Sequence, residues 1–356
     1  MATNITLKSI LEVSAKATLS DYVTVIAWSP MGNTLAAASG SGEVRLLKNF
    51  MSVPLCQPTG QSVDALAFSG DGKWLATGGQ AGTITLWQMD GDVPKIADTL
   101  ECGSWIDRLV WHPTCNHLAF NRGKTVQIWN ADQAEAVISL AGIASAQDIR
   151  WSPDGKHLAI AIKSNIHIWN TQNWNEQLYQ WEVTSPASAI AWSPDGALLA
   201  CAIHDHSIGV LDWSKVQSLQ QCVPTDENDL PILMCGFPGK IRQLAWADLP
   251  LSADLPPILA AATRELVTMW MHSTKGWESW VLDLHSGTVL DVAFRPKTGW
   301  LASLSDDGWI ILWQAAQVLE GAEEGFSCLA WHPNGRHLAA GGQRGELLVW
   351  STCTDA

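Results

Sequence analysis

The chain has 356 residues, with 21 Lys and Arg against 35 Asp and Glu, for a formal net charge of −14. An acidic chain is poorly suited to nucleic acid, whose binding rests on neutralising phosphates, and no apolar run approaches the ~18 residues of a membrane helix. With no signal-peptide pattern at the start, a soluble cytoplasmic protein without nucleic-acid or membrane partners is expected.

The eight cysteines show no C-x-x-C spacing, which fits reduced thiols in a chain too large to need disulfide staples. Tryptophan is in excess, 21 against 2 Tyr. A repeat accounts for most of it.

In chain order, residues 5–18 read ITLKSILEVSAKAT and have no strand before them to pair with. A unit then starts and recurs to the end of the chain. Its clearest copy is Arg150 to Trp169, RWSPDGKHLAIAIKSNIHIW. An apolar run closes on Trp151, and a Pro-Asp-Gly turn follows, with proline presetting its first dihedral and glycine accepting positive φ. Two short alternating runs, Leu158 to Ile162 and Ile166 to Trp169, then read as strands.

The aromatic closing the first strand recurs at Trp28, Phe68, Trp111, Trp151, Trp192, Trp246, Phe294 and Trp331, at intervals of 37 to 54 residues. The mean is about 43, within the 40–45 of four-stranded propeller blades. The second strands open LAAAS, LATGG, LAFNR, LAIAI, LACAI, LAAAT, LASLS and LAAGG. The third strands close on Trp87, Trp129, Trp169, Trp270, Trp313 and Trp350, with Leu47 and Leu211 in units one and five. Two segments break the rhythm. Ser214 to Gly239 is expected to hold the outer connection toward unit six, and Asp248 to Pro257 to enlarge one turn of unit six.

This pattern resembles the WD-repeat family, taken here as a bacterial-type member, over essentially the whole chain. The Asp that follows the third-strand Trp in that family is mostly lost. The expected architecture is an all-β, eight-bladed propeller of four-stranded antiparallel blades with almost no helix, spanning residues 1–356 as one domain; seven blades is the alternative. Only six residues follow Trp350, so residues 1–18 are expected to supply the last outer strand and close the ring, covering an open edge.

The resemblance implies a buried network in blade seven of His285, Ser303, Asp307 and Trp313, groups that can satisfy one another in a low-dielectric core. A hydrolase reading of this Ser-His-Asp set fails for want of a nucleophile elbow. The other blades have lost the network; in blade five Val183 takes the histidine's place. Family position also implies a top-face rim holding Tyr22, Ser62, Trp105, Lys240 and Thr288 on one loop set and Gln80, His204, Asp306, Trp309 and Gln343 on the other. Aromatics there suit binding anchors.

The expected function is a non-catalytic scaffold that binds a partner protein or peptide on this face, as a monomeric propeller within a complex and with no cofactor. A metal-handling alternative rests on His204-Asp205-His206, with Cys201 nearby, because imidazole and thiolate are zinc ligands; Cys235 or Cys102 could complete such a set. A second alternative is an enzyme with an unrecognised propeller active site. No P-loop, G-x-S-x-G or H-E-x-x-H pattern supports it.

Overall fold

The computed structural model describes residues 10–91, 93–143, 145–218, 231–249 and 256–353. Their strands form eight four-stranded sheets, each antiparallel throughout. Seven sheets take four strands consecutive in the chain. The eighth is built from Phe326–Trp331, His337–Gly342, Glu346–Thr352 and the N-terminal strand Leu11–Thr18. Leu11–Thr18 pairs antiparallel with the chain's last strand, Leu11 opposite Thr352 and Thr18 opposite Glu346. Eight blades and closure by the N-terminal segment are thus as the repeat predicts. The part of that segment before residue 10 lies outside the described residues.

All eight anchor aromatics end the first strand of their blade: Val23–Trp28, Val63–Phe68, Leu109–Trp111, Ala146–Trp151, Ala187–Trp192, Ile241–Trp246, Val289–Phe294 and Phe326–Trp331. These first strands contact one another round the ring, the eighth against the first, so they form its inner wall. The second strands are the most buried. Thr34–Ser39 and His157–Ile162 are buried along their whole length. Their Leu-Ala-small runs let neighbouring blades approach, and each of the eight core clusters joins residues of adjacent blades.

Two details differ from the repeat's expectation. The third strand of blade seven is only Ile310–Leu312, and Trp313 opens a 3-10 turn, Trp313–Ala315, ending in left-handed Ala316 (φ 48°). The indole keeps its place all the same, donating to Ser303 Oγ at 2.9 Å. Within Ser214 to Gly239, the outer strand Ile232–Met234 belongs to blade five, pairing with Ser207–Asp212, and the short helix Trp213–Ser218 precedes it. Residues 219–230 and 250–255 lie outside the described residues.

The tryptophan anchors do more than fill space. Each of the six donates its indole N–H to the carbonyl of the residue just before the anchor in the preceding blade. The pairs are Trp28 to Ala330 (3.2 Å), Trp111 to Ala67 (2.9 Å), Trp151 to Val110 (3.2 Å), Trp192 to Arg150 (3.3 Å), Trp246 to Ala191 (3.0 Å) and Trp331 to Ala293 (3.2 Å). Phe68 and Phe294 have no such donor, and their junctions carry other ties. Thr24 Oγ1 donates to the Val63 carbonyl, and Gln243 Nε2 donates to Asp291 Oδ1 at 3.1 Å.

Candidate functional site at the channel mouth

The inner wall sets the geometry of the site. In seven blades the ladder between first and second strands slips two residues into the first strand. The residue left unpaired is Thr24, Gln147, Asp64, Ser188, Arg242, Leu290 or Ser327, always four before the anchor. A bulge bends its strand and re-aims a side chain. Here it takes these residues out of the sheet pairing, and all but Gln147 line the central channel or its mouth. Asp64, Ser188 and Arg242 line a channel cavity of about 290 Å³ with Asp107, Arg108, Asp148 and Arg150. Asp64 also lines a wider mouth with Tyr22, Thr24, Leu290, Ser327 and Gln343.

Asp148 joins two of the channel's cations. Asp148 is buried between Arg108 Nε (3.6 Å) and Arg150 Nε (3.3 Å) and accepts the Ile190 N–H of the next blade at 3.0 Å. Asp291 stands at the equivalent place in blade seven and likewise accepts the N–H of Leu329 in blade eight, at 3.2 Å. It has Gln243 in place of a cation, and burial pushes its carboxyl up to about 6, against the opposing pull of its hydrogen bonds. Bulge hydroxyls add ties across the mouth, with Ser188 Oγ on the Ile241 carbonyl at 3.2 Å and Ser327 Oγ on the Val23 carbonyl at 2.6 Å.

The structure brings together part of the predicted rim. Tyr22 and Gln343 share the mouth cavity. Trp105 is 55% exposed, yet its indole N–H is fixed on Asp64 Oδ2 at 2.7 Å, and the Ser62 hydroxyl holds the same oxygen at 2.7 Å. An exposed aromatic with its polar edge tied down is already ordered for contact. Ser62 itself is buried, because its side chain serves Asp64 and not solvent.

Other rim residues stand apart from this cluster. Asp306 and Trp309 share the blade-seven turn. Asp306 Oδ1 accepts the Thr288 N–H at 2.5 Å, and the Trp309 ring is 38% exposed. His204 is exposed, and partial burial together with the Lys240 charge holds its imidazole below the usual range. Gln80 is an exposed turn residue whose N–H bonds the Ser62 carbonyl. Cys201 is turned into the core, where burial raises its thiol, and it does not meet His204 or His206. Among the described residues no three His, Cys, Asp or Glu side chains converge as a metal site.

The blade-seven residues lie in one hydrogen-bonded chain. Trp313 Nε1 donates to Ser303 Oγ at 2.9 Å, Ser303 meets His285 Nε2 at 2.8 Å, and His285 Nδ1 meets Asp307 Oδ2 at 3.0 Å. The ionised Asp307 carboxylate can only accept, so Nδ1 carries the proton of the neutral ring, and Nε2 accepts the Ser303 hydroxyl while Ser303 Oγ accepts the indole. Burial holds the His285 ring below its ordinary value although Asp307 pulls it up. Burial would raise Asp307, but the N–H groups of Trp309 and Ser286 and the His285 ring outweigh it and hold the carboxyl down. Blade two keeps a remnant, Trp87 Nε1 on Thr77 Oγ1 at 3.2 Å. Blades three and four have Phe120 and Ile160 where Ser303 stands, and the buried indole nitrogens of Trp129 and Trp169 meet no protein acceptor.

Sequence reasoning missed the channel set, Asp64, Asp107, Arg108, Asp148, Arg150 and Arg242. The signal was present: charged residues one to four positions before the anchor, where most other units carry an uncharged residue.

Comparison with known proteins agrees with this architecture. The model for the WD domain, G-beta repeat, matches residues 13–47, 53–88, 276–314 and 315–351. A Drosophila melanogaster "Protein LST8 homolog" is 28% identical over 153 residues, covering 41% of this chain and 49% of that protein. The Schizosaccharomyces pombe "Target of rapamycin complex subunit wat1" is 28% identical over 145 residues, 38% of this chain and 46% of that one. The chain thus spans about half the length of the curated relatives it matches. These relatives are eukaryotic, so the bacterial type expected from the sequence has no support. Among solved structures, Chaetomium thermophilum Sqt1 bound to the N-terminus of the ribosomal protein L10 has a TM-score of 0.78 at 18% identity, covering 96% of this chain and all of that one. At that identity the likeness is one of fold.

Proposed function

We propose that this chain is a non-catalytic WD-repeat scaffold that holds a partner protein or peptide on its top face, centred on the channel mouth. The observation that carries the reading is the pair of exposed aromatics on either side of Asp64 at that mouth. Trp105 is pinned on Asp64 and exposed, and Tyr22 shares the Asp64-lined cavity. Rigid, half-exposed Trp and Tyr are the side chains most enriched among interface hot spots, and here they sit on a closed ring whose inner strands are tied blade to blade. Binding of a ribosomal-protein N-terminus by Sqt1, a ring of the same fold, supports a peptide-binding role. The net charge of −14 favours a neutral or basic partner, since complementary potentials steer encounter. The propeller acts as a monomer within its complex, in the cytoplasm, and makes no nucleic-acid contacts.

The test is recovery of partners with the intact chain from its native cell, followed by titration of Trp105→Ala and Trp309→Ala. Loss of a hot-spot aromatic weakens binding by about 2 kcal/mol or more. The control is Asp154→Ala, in the opposite-face turn where Asp154 Oδ1 accepts the Ser152 hydroxyl and the Lys156 N–H. Loss of the partner in the control alone puts the interface on the other face. Turnover of a small molecule with no partner recovered overturns the scaffold reading.

A further inference from the structure

The bottom face holds a pocket at the junction of blades eight and one that the top-face reading does not use. Blades one and five are the two whose third strand closes on leucine, Leu47 and Leu211, where the other six units carry tryptophan. In blade five the space is refilled two residues later. Trp213 is buried there, its ring 6.0 Å from that of the anchor Trp192 and 5.1 Å from His157 of the preceding blade.

Blade one has the same frame, anchor Trp28 and His337 of the preceding blade, with ring centroids 6.4 Å apart. Two residues after Leu47, however, stands Asn49, and the frame stays open. The result is a cavity of about 200 Å³ walled by Trp28, Leu47, Phe50, His332 and His337. That is below the ~300 Å³ at which small-molecule sites begin and suits a single side chain.

Three further observations say what fits. The Phe50 ring is 44% exposed at the pocket, 5.6 Å from His337, and its backbone is left-handed at φ 64°, straight after Asn49 at φ 49°. A two-residue hairpin turn of this kind takes glycine in its second place. A bulky residue held there stores strain of the sort found at ligand clamps. Second, the pocket wall carries an imidazole acceptor. Ser14 Oγ donates to the Val349 carbonyl and Ser351 Oγ to Ser14, so His337 Nδ1–H donates to Ser351 at 2.7 Å, and its Nε2 keeps a lone pair with no donor among the described residues. His332 is satisfied on both nitrogens, by the Gly32 carbonyl and the Asn334 N–H. Third, Asn33 and Asn49 also line the next cavity, which includes Lys48, so the pocket continues as a groove. Lys48 on the groove and Arg336, next to His337, have no carboxylate within ion-pair distance among the described residues.

We propose that this bottom-face pocket takes a tryptophan side chain of a partner peptide in which an acidic residue flanks that tryptophan. An indole fills the frame as Trp213 fills the one in blade five. Its N–H, a donor only, answers His337 Nε2, and the flanking carboxylate meets Lys48 or Arg336. An otherwise acidic protein thereby presents a local cationic docking edge, opposite the face proposed for the main partner.

The probe is N-acetyl-Gly-Glu-Trp-Asp-Gly-amide carrying 5-fluorotryptophan, titrated into the full chain and followed by fluorine NMR. A saturable shift is expected, with Kd on the order of 1 mM. Leu47→Trp closes the space from inside, and Phe50→Gly removes a wall while relieving the left-handed backbone. Each is expected to weaken binding about tenfold or more, and Phe50→Gly keeps the test open where Leu47→Trp fails to fold. A peptide with Lys at both flanks is expected to bind more weakly. The proposal is overturned by absence of saturable binding to the folded wild type, by wild-type affinity in a folded pocket variant, or by equal affinity for the Lys-flanked peptide. Trp105→Ala is expected to leave this titration unchanged, so failure here is distinguishable from failure of the top-face reading.

Discussion

Asp307→Ala tests whether the blade-seven chain of polar groups holds the ring together. The Asp307 carboxylate takes three donors: His285 Nδ1 at 3.0 Å, Ser286 N at 2.9 Å and Trp309 N at 2.9 Å. Ser286 is exposed and Trp309 reaches solvent, so water replaces the carboxylate at those two at small cost. His285 is 5% exposed, and its Nδ1–H has nowhere else to go. A buried donor left unpaired costs about 1–3 kcal/mol, and that is the expected loss. Asp205→Ala is the matched control in blade five. Asp205 accepts the Ser207 N–H and the hydroxyls of Thr184 and Ser207, which can rotate to other partners, and Val183 stands where the histidine would be. Its expected cost is below about 1 kcal/mol.

The assay is urea unfolding of both variants at pH 7, with ΔG read at unchanged m-value. A pH series adds a signature. The folded His285 is held below its ordinary value, so its contribution is full above about 6.5 and is lost as pH falls through the folded value. Removing Asp307 removes an upward pull on that ring, so the gap between wild type and variant widens as pH falls below about 6.5. Equal costs at Asp307 and Asp205, or a gap flat from pH 8 to 5, would refute the network reasoning.

Other outcomes follow from the same structure. Trp28→Phe is expected to cost about 0.5–1.5 kcal/mol for the lost indole–carbonyl tie across the closing junction, with Phe68 and Phe294 showing that the ring itself is accommodated; an unchanged unfolding midpoint argues that the tie is idle. Asp291 is raised to about 6 by burial. Its contribution is therefore complete below the usual carboxylate value and lost as pH rises through about 6. Asp291→Asn should lose less stability than wild type between pH 5 and 8, and parallel pH profiles would count against it. Removing residues 1–18 strips the strand paired with Glu346–Thr352 together with buried Leu11, and should lower Tm and promote aggregation through the bared edge; a truncated chain as stable and soluble as the parent would show that the closing strand is dispensable.

The repeat made the architecture legible because each blade is local. First strand, turn, second strand, tight turn and third strand lie within one stretch of about 43 residues, so hydrophobic alternation and Pro-Gly turns report it directly. The stretch 5–18 was assignable by elimination, as one with no strand before it to pair with beside a last blade short of one, and its strand proved to be Leu11–Thr18. The blade-seven set was readable for the same reason, since its side chains occupy fixed offsets in one unit.

Only the tertiary structure decided what happens between blades. That each anchor Trp donates to the residue before the previous anchor depends on how two blades pack, and indole and phenyl serve the spacing pattern equally well. The bulges that turn Asp64 and Arg242 into the channel arise from one strand slipping against its neighbour, which leaves no mark in the alternation. The pocket beside Trp28 exists because Leu47 is smaller than tryptophan and the chain brings no second indole to that place, whereas Trp213 fills the same shortfall in blade five. Whether a missing ring volume is refilled depends on which side chains from distant units meet there, and that is fixed only when the ring has closed.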